Sequence, residues 1–192
     1  MPPKVKVTKS ALIEAAISLV RDEGWDALGV RALALRAGCS TQPIFSNFES
    51  LEDLKRTVYK EIYTLYEEYT KKSMQSGEYP LYKASGMAYI AFAREEPRLF
   101  STLFMRDGGA DNDMGRNFID DTIVPIIMKN LEIDERTANF LHLEMWAFVH
   151  GVAVMIVTSY LPLSEELVSQ MLTDIYLATG KYHKENFKNE ND

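Results

Sequence analysis

Residues 30–54, VRALALRAGCSTQPIFSNFESLEDL, restrict the possible folds more than any other part of the chain. Val30 to Ala37 consists of helix-forming residues with an apolar face, and Gly38 can adopt the left-handed conformation that ends a helix. Ser40 can accept hydrogen bonds from the free N–H groups of a second helix, and Pro43 falls in that helix's first turn, where its missing donor costs little. The pattern therefore predicts a helix-turn-helix, which presents its second helix to the major groove of DNA.

The rest of the chain also has the apolar periodicity of helices, without a useful length of strand-like alternation, so we predict an all-α fold of about nine helices. The 192 residues, 46% of them hydrophobic, can bury a substantial core in one domain or two small ones. We expect a mobile loop at 107–113 and fraying of the polar segments 1–7 and 183–192. The predicted helices are 8–24, 30–37, a short helix after Ser40, 52–74, 81–94, 97–105, 114–131 with a kink at Pro125, 134–159 capped by Asp134, and 164–179 opened by Ser164.

Several runs around this pattern resemble one protein family. They are TKSALIEAAISLVRDEG at 8–24, the connector 25–30, Ala37-Gly38-Cys39-Ser40, and Ile44-Phe45 and Asn47-Phe48 ahead of the acidic helix start at 49–54. Together they resemble the DNA-binding domain of the tetracycline-repressor (TetR) family of bacterial transcription regulators. A further run, WAFVHG at 146–151, is similar to the Trp/His-Gly (WHG) motif in one C-terminal domain class of the same family.

The resemblance implies a three-helix DNA-binding domain at 1–51 and a helical effector-binding and dimerisation domain at 52–182, followed by a polar tail at 183–192. Three positions depart from the family pattern. Phe45 stands where tyrosine is common, Asn47 where histidine or tyrosine is common, and Leu51 where a lysine usually meets a phosphate. Because phosphate contacts add affinity but no sequence information, these changes should weaken binding more than they change which operator is read.

Charge is distributed unevenly along the chain. The formal net charge is −7, yet residues 1–60 carry nine basic and seven acidic side chains, while the remainder carries twelve basic and twenty-one acidic ones. A mildly positive N-terminal part on an acidic body is compatible with a DNA-binding domain joined to one that avoids DNA. The electrostatic signal alone is weak.

We expect Thr41, Gln42, Ser46 and Asn47 to be exposed on the second helix of the motif, with Ile44 and Phe48 holding it to the core. Gln42 and Asn47 can read an adenine edge, and Thr41 can contact a thymine methyl or a phosphate. The alternative for each is a solvated polar side chain without a partner. The predicted DNA-binding residues are Arg31, Ser40, Thr41, Gln42, Pro43, Phe45, Ser46, Asn47 and Lys55, with Lys9 and Arg56 as further backbone contacts.

The effector region is less distinct in the sequence. Met and aromatic residues of the middle helices could line an apolar cavity with His150 as a polar contact, although such residues are more often plain core. The histidines and carboxylates lack the spacing of a metal site, and neither a nucleophile–base pair nor a phosphate-binding loop is present, so we predict no metal, no cofactor and no enzyme. The candidate ligand-binding residues are Tyr89, Phe92, Phe100, Phe104, Met105, Trp146, His150 and Met155.

The long helix at 134–159 is apolar on two sides and needs two packing partners. One stripe contains Leu141, Met145, Phe148, Val152 and Ile156, and the other contains Trp146, Val149, Ala153 and Val157. The second partner is most simply the same helix of another subunit, and the last helix could complete a four-helix homodimer interface, an arrangement that the family resemblance also implies. The contributing residues of the last helix would be Leu167, Met171, Leu172, Ile175 and Tyr176.

The apolar run Met145 to Val157 is shorter than the ~20 residues that span a membrane, so we interpret it as part of a buried helix without a membrane partner. The single cysteine, Cys39, fits a reducing cytoplasm and is interpreted as structural. These observations favour a TetR-like homodimeric regulator, a repressor that a small, apolar or aromatic effector releases from a palindromic operator. The alternative is a helical small-molecule-binding protein that does not bind DNA.

Overall fold

The computed structural model describes residues 7–106 and 113–186, and for 113–121 it describes the backbone alone. Within these ranges the chain is all-α, as predicted, with nine α-helices, one short 3₁₀ helix and no strand. The helices are α1 (Lys9–Glu23), the 3₁₀ helix (Trp25–Ala27), α2 (Val30–Arg36), α3 (Gln42–Asn47), α4 (Leu51–Gln75), α5 (Leu81–Glu95), α6 (Pro97–Phe104), α7 (Asp113–Leu131), α8 (Glu135–Val157) and α9 (Glu165–Asn186).

Several predicted helix ends are confirmed by the capping contacts that produce them. Asp134 accepts the backbone N–H of Thr137 at 2.9 Å at the start of α8, and this hydrogen bond is the main cause that lowers the pKa of Asp134. Ser164 accepts the N–H of Leu167 at 3.3 Å at the start of α9. Most of the predicted loop at 107–113 lies outside the described residues, and Pro125 lies inside α7.

The predicted end of the last helix is wrong. We expected α9 to stop before Gly180 and the tail to fray after Tyr182, but α9 continues to Asn186 and His183 is buried. Gly180 lies inside the helix, where its missing side chain lets Leu131 pack closely. A Cβ at this position would lie 3.2 Å from Leu131 Cδ1. His183 Nε2 lies 2.7 Å from Glu144 Oε2, which joins this last turn to α8. Residues 187–192 lie outside the described residues.

The chain divides into two compact units. The first contains residues 1–66 and 96–106, and the second contains 67–95 and 107–192. In the first unit, α1 packs against α2, α3 and α6. The predicted boundary between residues 51 and 52 differs from this division and stays a prediction. The buried core of the first unit includes Leu12, Leu19, Leu28, Leu33, Ile44, Phe48, Leu54, Val58, Ile62, Leu99 and Phe100.

In the second unit α8 is central, because it packs against α5, α7 and α9. Its buried cluster contains Tyr82, Ile123, Val124, Ile127, Ala138, Leu141 and Met145. Within the described ranges, α8 alone is long and apolar enough to cross a membrane by length and composition, a test that core helices of soluble proteins also pass. Only 28% of its most apolar window is buried in the single chain, so our interpretation of a buried helix holds for one side of α8 alone.

Candidate nucleic-acid interface

The corner between α2 and α3 is built as the sequence predicted. Gly38 has a φ of +62°, and its N–H donates to the carbonyl of Leu35 at 3.2 Å. The next N–H, of Cys39, donates to the carbonyl of Ala34 at 3.0 Å. These two bonds form the Schellman motif, which satisfies the last carbonyls of a helix and requires a left-handed residue at this point. The corner therefore fixes the direction in which α3 leaves α2.

The prediction that Ser40 caps α3 is wrong. The helix begins one residue later than that role requires, with Thr41 as the N-terminal flanking residue and without a side-chain capping hydrogen bond. The backbone carbonyl of Thr41 accepts from Ile44 at 3.1 Å and from Phe45 at 3.3 Å, so the turn closes through the main chain instead. Pro43 lies in the first turn as expected, where its missing N–H removes no bond. The Ser40 side chain is exposed.

α3 has two distinct faces. Ile44 and Phe48 are 1% and 3% exposed, which confirms that they anchor the helix to the core. The exposure predicted for Thr41, Gln42 and Ser46 is also confirmed, and Pro43 is half-buried. Phe45 is 59% exposed, which is a large value for an aromatic side chain. The exposed side of α3 thus combines hydroxyl, amide and aromatic groups.

Asn47 is not freely exposed, contrary to our expectation. It is half-buried, and its Nδ2 donates to the carbonyl of Pro43 at 2.7 Å, one turn earlier in the helix. One amide hydrogen is therefore engaged within α3, while the Oδ1 acceptor and the second hydrogen keep their capacity for other partners. Ser46 makes a similar local bond, from its Oγ to the carbonyl of Gln42 at 2.9 Å.

The helices around α3 are held by charged contacts within the first unit. Arg36 of α2 pairs with Asp22, and with Glu23 at 2.9 Å, and it donates to Ser18 Oγ at 3.0 Å. The hydrogen bond to Asp22 is the main cause that raises the pKa of Arg36. This cluster ties the end of α2 to α1, on which α3 also packs. Arg36 thus has a structural role in holding the motif together.

The start of α4 has a reciprocal cap. Ser50 Oγ accepts the N–H of Asp53 at 3.1 Å, and Asp53 Oδ2 accepts the N–H of Glu49 at 3.2 Å. The bond from Glu49, followed by the bond from Arg56, lowers the pKa of Asp53. Arg56 lies 3.1 Å from Asp53 Oδ1, so its charge is partly balanced and it is a weaker candidate for a phosphate than the sequence suggested.

The other predicted backbone contacts keep their positive charge available. Arg31 is exposed on the first turn of α2. Lys9 is also exposed, and its Nζ lies 5.0 Å from the centroid of the Phe48 ring. Lys55 is half-buried, with its Nζ 6.0 Å from the Trp25 ring. Cation–π contacts of this kind orient an ammonium group without neutralising it.

The eight candidate ligand-binding residues do not fall in one unit. Phe100, Phe104 and Met105 belong to the first unit, where Phe100 and Phe104 pack with ring centroids 5.0 Å apart. The other five belong to the second unit. The buried Phe92 packs against Tyr69, which fits the plain-core interpretation, and Met155 is exposed.

Three of the candidates do come together between α5 and α8. The Tyr89 hydroxyl lies 2.9 Å from His150 Nδ1, and the Trp146 indole stacks on the His150 ring at 5.1 Å and 15°. Burial lowers the pKa of His150, which favours the neutral imidazole. Tyr89 is buried and Trp146 is 40% exposed, so the cluster runs from the core to the surface.

A half-open groove of about 560 Å³ lies elsewhere in the second unit, and none of the eight candidates lines it. Its walls come from α4, α5 and the first turns of α9, so the lining residues share no sequence pattern that could have predicted them. They are Tyr69, Lys72, Ser73, Ser76, Glu78, Tyr79, Met87, Ala88, Ile90, Ala91, Arg94, Glu95, Glu165 and Val168.

The apolar surface of α8 differs from the predicted one. Val149 and Ala153 of the second stripe are buried in the chain's own core, as are Leu141, Met145 and Val152 of the first. On α9, Leu172 is buried, and Ile175 and Tyr176 pack against the core cluster of the second unit. Helical periodicity shows that a face is apolar but not which neighbour covers it, and α8 has three neighbours in its own unit. The large apolar side chains left exposed on these two helices are Phe140, Leu143, Trp146, Met155, Leu167, Leu177 and Tyr182.

Two family models match the chain. The model described as bacterial regulatory proteins, tetR family, matches residues 12–58, which include the helix-turn-helix. The model described as tetracyclin repressor-like, C-terminal domain, matches residues 82–175. The second match contains the Trp146–Gly151 run but does not test its assignment to the WHG class, which stays a prediction.

Relatives and solved structures agree with these matches. An uncharacterized HTH-type transcriptional regulator of Mycobacterium tuberculosis is 24% identical over 156 residues, which are 80% of this chain and 72% of that protein. The crystal structure of a protein described as a transcriptional regulator from Pseudomonas aeruginosa PAO1 superposes with a TM-score of 0.72 at 15% identity, over 93% of each chain. A TetR-like transcriptional regulator from Rhodococcus sp. RHA1 gives a TM-score of 0.66 at 13% identity, over 92% of this chain and 96% of the other. At such identities the two structures show a shared fold.

Proposed function

The chain belongs to the TetR family of bacterial regulatory proteins, and on that premise we propose that it is a homodimeric repressor that a small molecule releases from a palindromic operator. As a member of this family it is a DNA-binding transcriptional regulator. Repression, effector release and the residues that contact DNA are the parts that we add. We further propose that it acts in the cytoplasm, without enzymatic activity.

The two-faced structure of α3 is the observation that supports this proposal most strongly. Ile44 and Phe48 fix one side in the core, which leaves the side chains of Thr41, Gln42 and Phe45 exposed on the solvent-facing side of the helix. An exposed aromatic residue between polar ones suits a major groove, where apolar groups meet thymine methyls and amides meet base edges. A helix that served only for packing would not need this surface.

Each exposed side chain of α3 has a role in this proposal. Gln42 offers an acceptor and donors to the N6 and N7 groups of adenine. Thr41 contacts a thymine methyl or a phosphate, and Phe45 and Pro43 contact a thymine methyl or a sugar. Asn47, which already donates to the Pro43 carbonyl, adds its Oδ1 as an acceptor. Arg31, Lys9 and Lys55 bind the backbone, together with the exposed hydroxyls of Ser40 and Ser46.

Dimerisation is characteristic of the family, and we propose that it uses the exposed apolar faces of α8 and α9. Phe140 and Leu143 are 50% and 57% exposed on α8, and Leu167 and Leu177 are 48% and 62% exposed on α9. A two-fold axis would pair these faces as a four-helix interface, which removes the apolar area of both copies from water. Such an interface would explain why one apolar side of α8 is exposed in the single chain.

An effector in the second unit would act through the dimer. The two α3 helices of a dimer meet successive major grooves when they are about 34–36 Å apart. A ligand that binds more tightly to a dimer with another α3–α3 distance shifts the population away from the form that binds the operator. The cluster of Tyr89, His150 and Trp146 offers stacking surface and a polar group to an apolar or aromatic ligand. These three residues are the part of the predicted ligand set that the fold brings together.

Selection from a pool of random DNA duplexes tests the proposed function. Full-length protein at low salt should enrich a palindrome with half-sites about one helical turn apart. A Gln42→Ala variant should lose that enrichment. A Gln75→Ala variant, which changes an exposed glutamine at the far end of α4, should retain it. Failure of the parent protein to enrich any palindrome contradicts the proposal.

A further inference from the structure

Two cationic side chains from distant parts of the first unit meet at one aromatic ring. Trp25, in the 3₁₀ helix between α1 and α2, has Lys55 Nζ 6.0 Å and Arg106 Cζ 4.5 Å from its ring centroid. The Tyr59 ring meets the indole edge-on, with centroids 6.3 Å apart and planes at 81°. Both cationic groups therefore lie within 6.0 Å of the centroid of the same indole ring.

Neither of these two cations is neutralised within the described parts of the chain. Lys55 and Arg106 make no salt bridge there, whereas Arg36 and Arg56 of the same unit pair with carboxylates. Of the described acidic residues near Trp25 and Lys55 in sequence, Asp26 and Glu52 are exposed and form no ion pair with either cation, and Asp53 pairs with Arg56. Both positive charges lie within 6.0 Å of the same ring centroid, so an anion that binds at this ring would be attracted by both.

Arg106 is held in the DNA-binding unit although it lies far from the helix-turn-helix in sequence. It lies two residues after the end of α6, and α6 packs against α1 and the 3₁₀ helix. The Tyr59 hydroxyl donates to the carbonyl of Leu103 at 3.5 Å, which joins α6 to the third turn of α4. The position of Arg106 at the Trp25 ring is thus set by the fold of this unit.

We propose that Trp25 positions Lys55 and Arg106 as a two-cation site for a phosphate of the DNA backbone, next to the half-site that α3 reads. A guanidinium stacked on an indole keeps the N–H donors at its edge available, and these match a phosphate in a bidentate geometry. The site supplies the cationic contact that Leu51, at the start of α4, cannot make. The inference rests on the proposed DNA-binding mode and assigns a function to Trp25 and Arg106.

The salt dependence of binding distinguishes a phosphate contact from a structural role. Each phosphate neutralised adds about 0.9 to the slope of log K against log salt concentration, so loss of one contact per subunit should lower the slope of a dimer by about 1.8. The measurement uses full-length protein and the duplex enriched by the parent in the selection described above. Arg106→Gln, which keeps Lys55, should lose part of this slope, and a variant with both Lys55→Gln and Arg106→Gln should lose all of it.

Arg98→Gln is the matched control, because Arg98 is an exposed arginine of α6, the helix that precedes Arg106, and its loss changes the net charge equally. It should keep the parental slope. A parental slope in Arg106→Gln, or an equal reduction in both variants, overturns the proposal. If the parent enriches no duplex, the proposed function fails rather than this site.

Indole fluorescence gives a second, independent readout. The emission of Trp25 is obtained as the difference between the parent and a Trp25→Phe variant, since the chain contains two tryptophans. A saturating concentration of the enriched duplex should shift this difference emission as the two cations bind phosphate, and Arg106→Gln should reduce that shift. A difference emission that does not respond to DNA contradicts the proposed site.

Discussion

At the scale of single residues, α3 divides its side chains between buried positions that anchor the helix and exposed positions to which we assign recognition of DNA. Ile44 is buried and Gln42 is exposed, although both belong to the same short helix. The division follows from helical geometry, because residues two positions apart face different directions. It also means that an exposed residue of α3 can be changed with little effect on folding.

Gln42→Ala provides the corresponding prediction. Loss of a bidentate contact costs about 1–3 kcal/mol for each half-site, so affinity for the enriched duplex should fall at least about tenfold. The salt dependence should stay parental, because an amide that reads a base releases no counterion. Fluorescence anisotropy at several salt concentrations measures both quantities. A variant with parental affinity, beside an unchanged Gln75→Ala control, would rule out base reading by Gln42.

His150 gives a prediction about pH. Burial lowers its pKa in the folded protein, so the unfolded chain binds a proton more readily. The free energy of unfolding should therefore decrease as pH falls below about 6.5, the ordinary value for histidine, and continue to decrease until the folded-state pKa is reached. The lowered carboxyl pKa values of Asp53, Asp134 and Glu166 act at lower pH.

Urea unfolding at pH 7 and pH 5.5 tests this prediction. The parent should lose stability over the interval, and His150→Gln, which cannot titrate, should lose less. An equal loss in both proteins would show that His150 does not contribute.

At the scale of elements, the sequence carries most of the information about the helix-turn-helix. Gly38, Pro43 and the alternation of Ile44 and Phe48 with polar residues are local features, and the structure confirms the role of each. Ser40 was misjudged because either of two adjacent residues with hydroxyl side chains, Ser40 or Thr41, could begin the helix. The main-chain bonds to Thr41 decide between them.

Tertiary contacts explain what the sequence did not predict. The sequence predicts that α9 ends before Gly180, but Gly180 lies inside α9, where the absence of a side chain lets Leu131 pack against the helix backbone. The groove of the second unit and the contact of Arg106 with Trp25 join residues that are distant along the chain. Periodicity reports which residues of one helix share a side, and it contains no information about which helices meet.

Gly38→Ala tests the corner itself. A Cβ at Gly38 would meet nothing within 4 Å, so the cost is that of a left-handed conformation in an alanine, about 1–2 kcal/mol in the free energy of unfolding. Gly29→Ala is the control, because Gly29 also has open space but an extended φ of −140°, and alanine there costs only the preference for glycine as the N-cap of α2, less than about 1 kcal/mol. Urea denaturation of both variants gives the comparison. Equal effects would contradict the role of the left-handed turn.

At the scale of the whole molecule, the single chain leaves a large apolar area on α8 and α9 exposed to water. Dimerisation is typical of the family, and in our proposal a second copy covers this area. Because Leu143 occurs once in each copy, Leu143→Glu should remove two apolar contacts of about 2 kcal/mol each and introduce two charges. Sedimentation should show a dimer for the parent and monomers for this variant at the same concentration.

Leu81→Glu is the matched control, since Leu81 is 50% exposed on α5 and outside the proposed interface. It should remain dimeric. A dimeric Leu143→Glu protein would place the interface elsewhere. Loss of helical signal in that variant would indicate unfolding, and a change of Leu143 to alanine would then provide the test.

The most direct test of the account is a contact between α3 and DNA. A photo-crosslinking analogue of phenylalanine placed at Phe45, which is 59% exposed, should crosslink to a base within each half-site of the enriched duplex. The same analogue at Tyr160, which is 75% exposed in the second unit, should give no crosslink. Efficient crosslinking from Tyr160 and none from Phe45 would contradict the claim that the exposed face of α3 reads DNA.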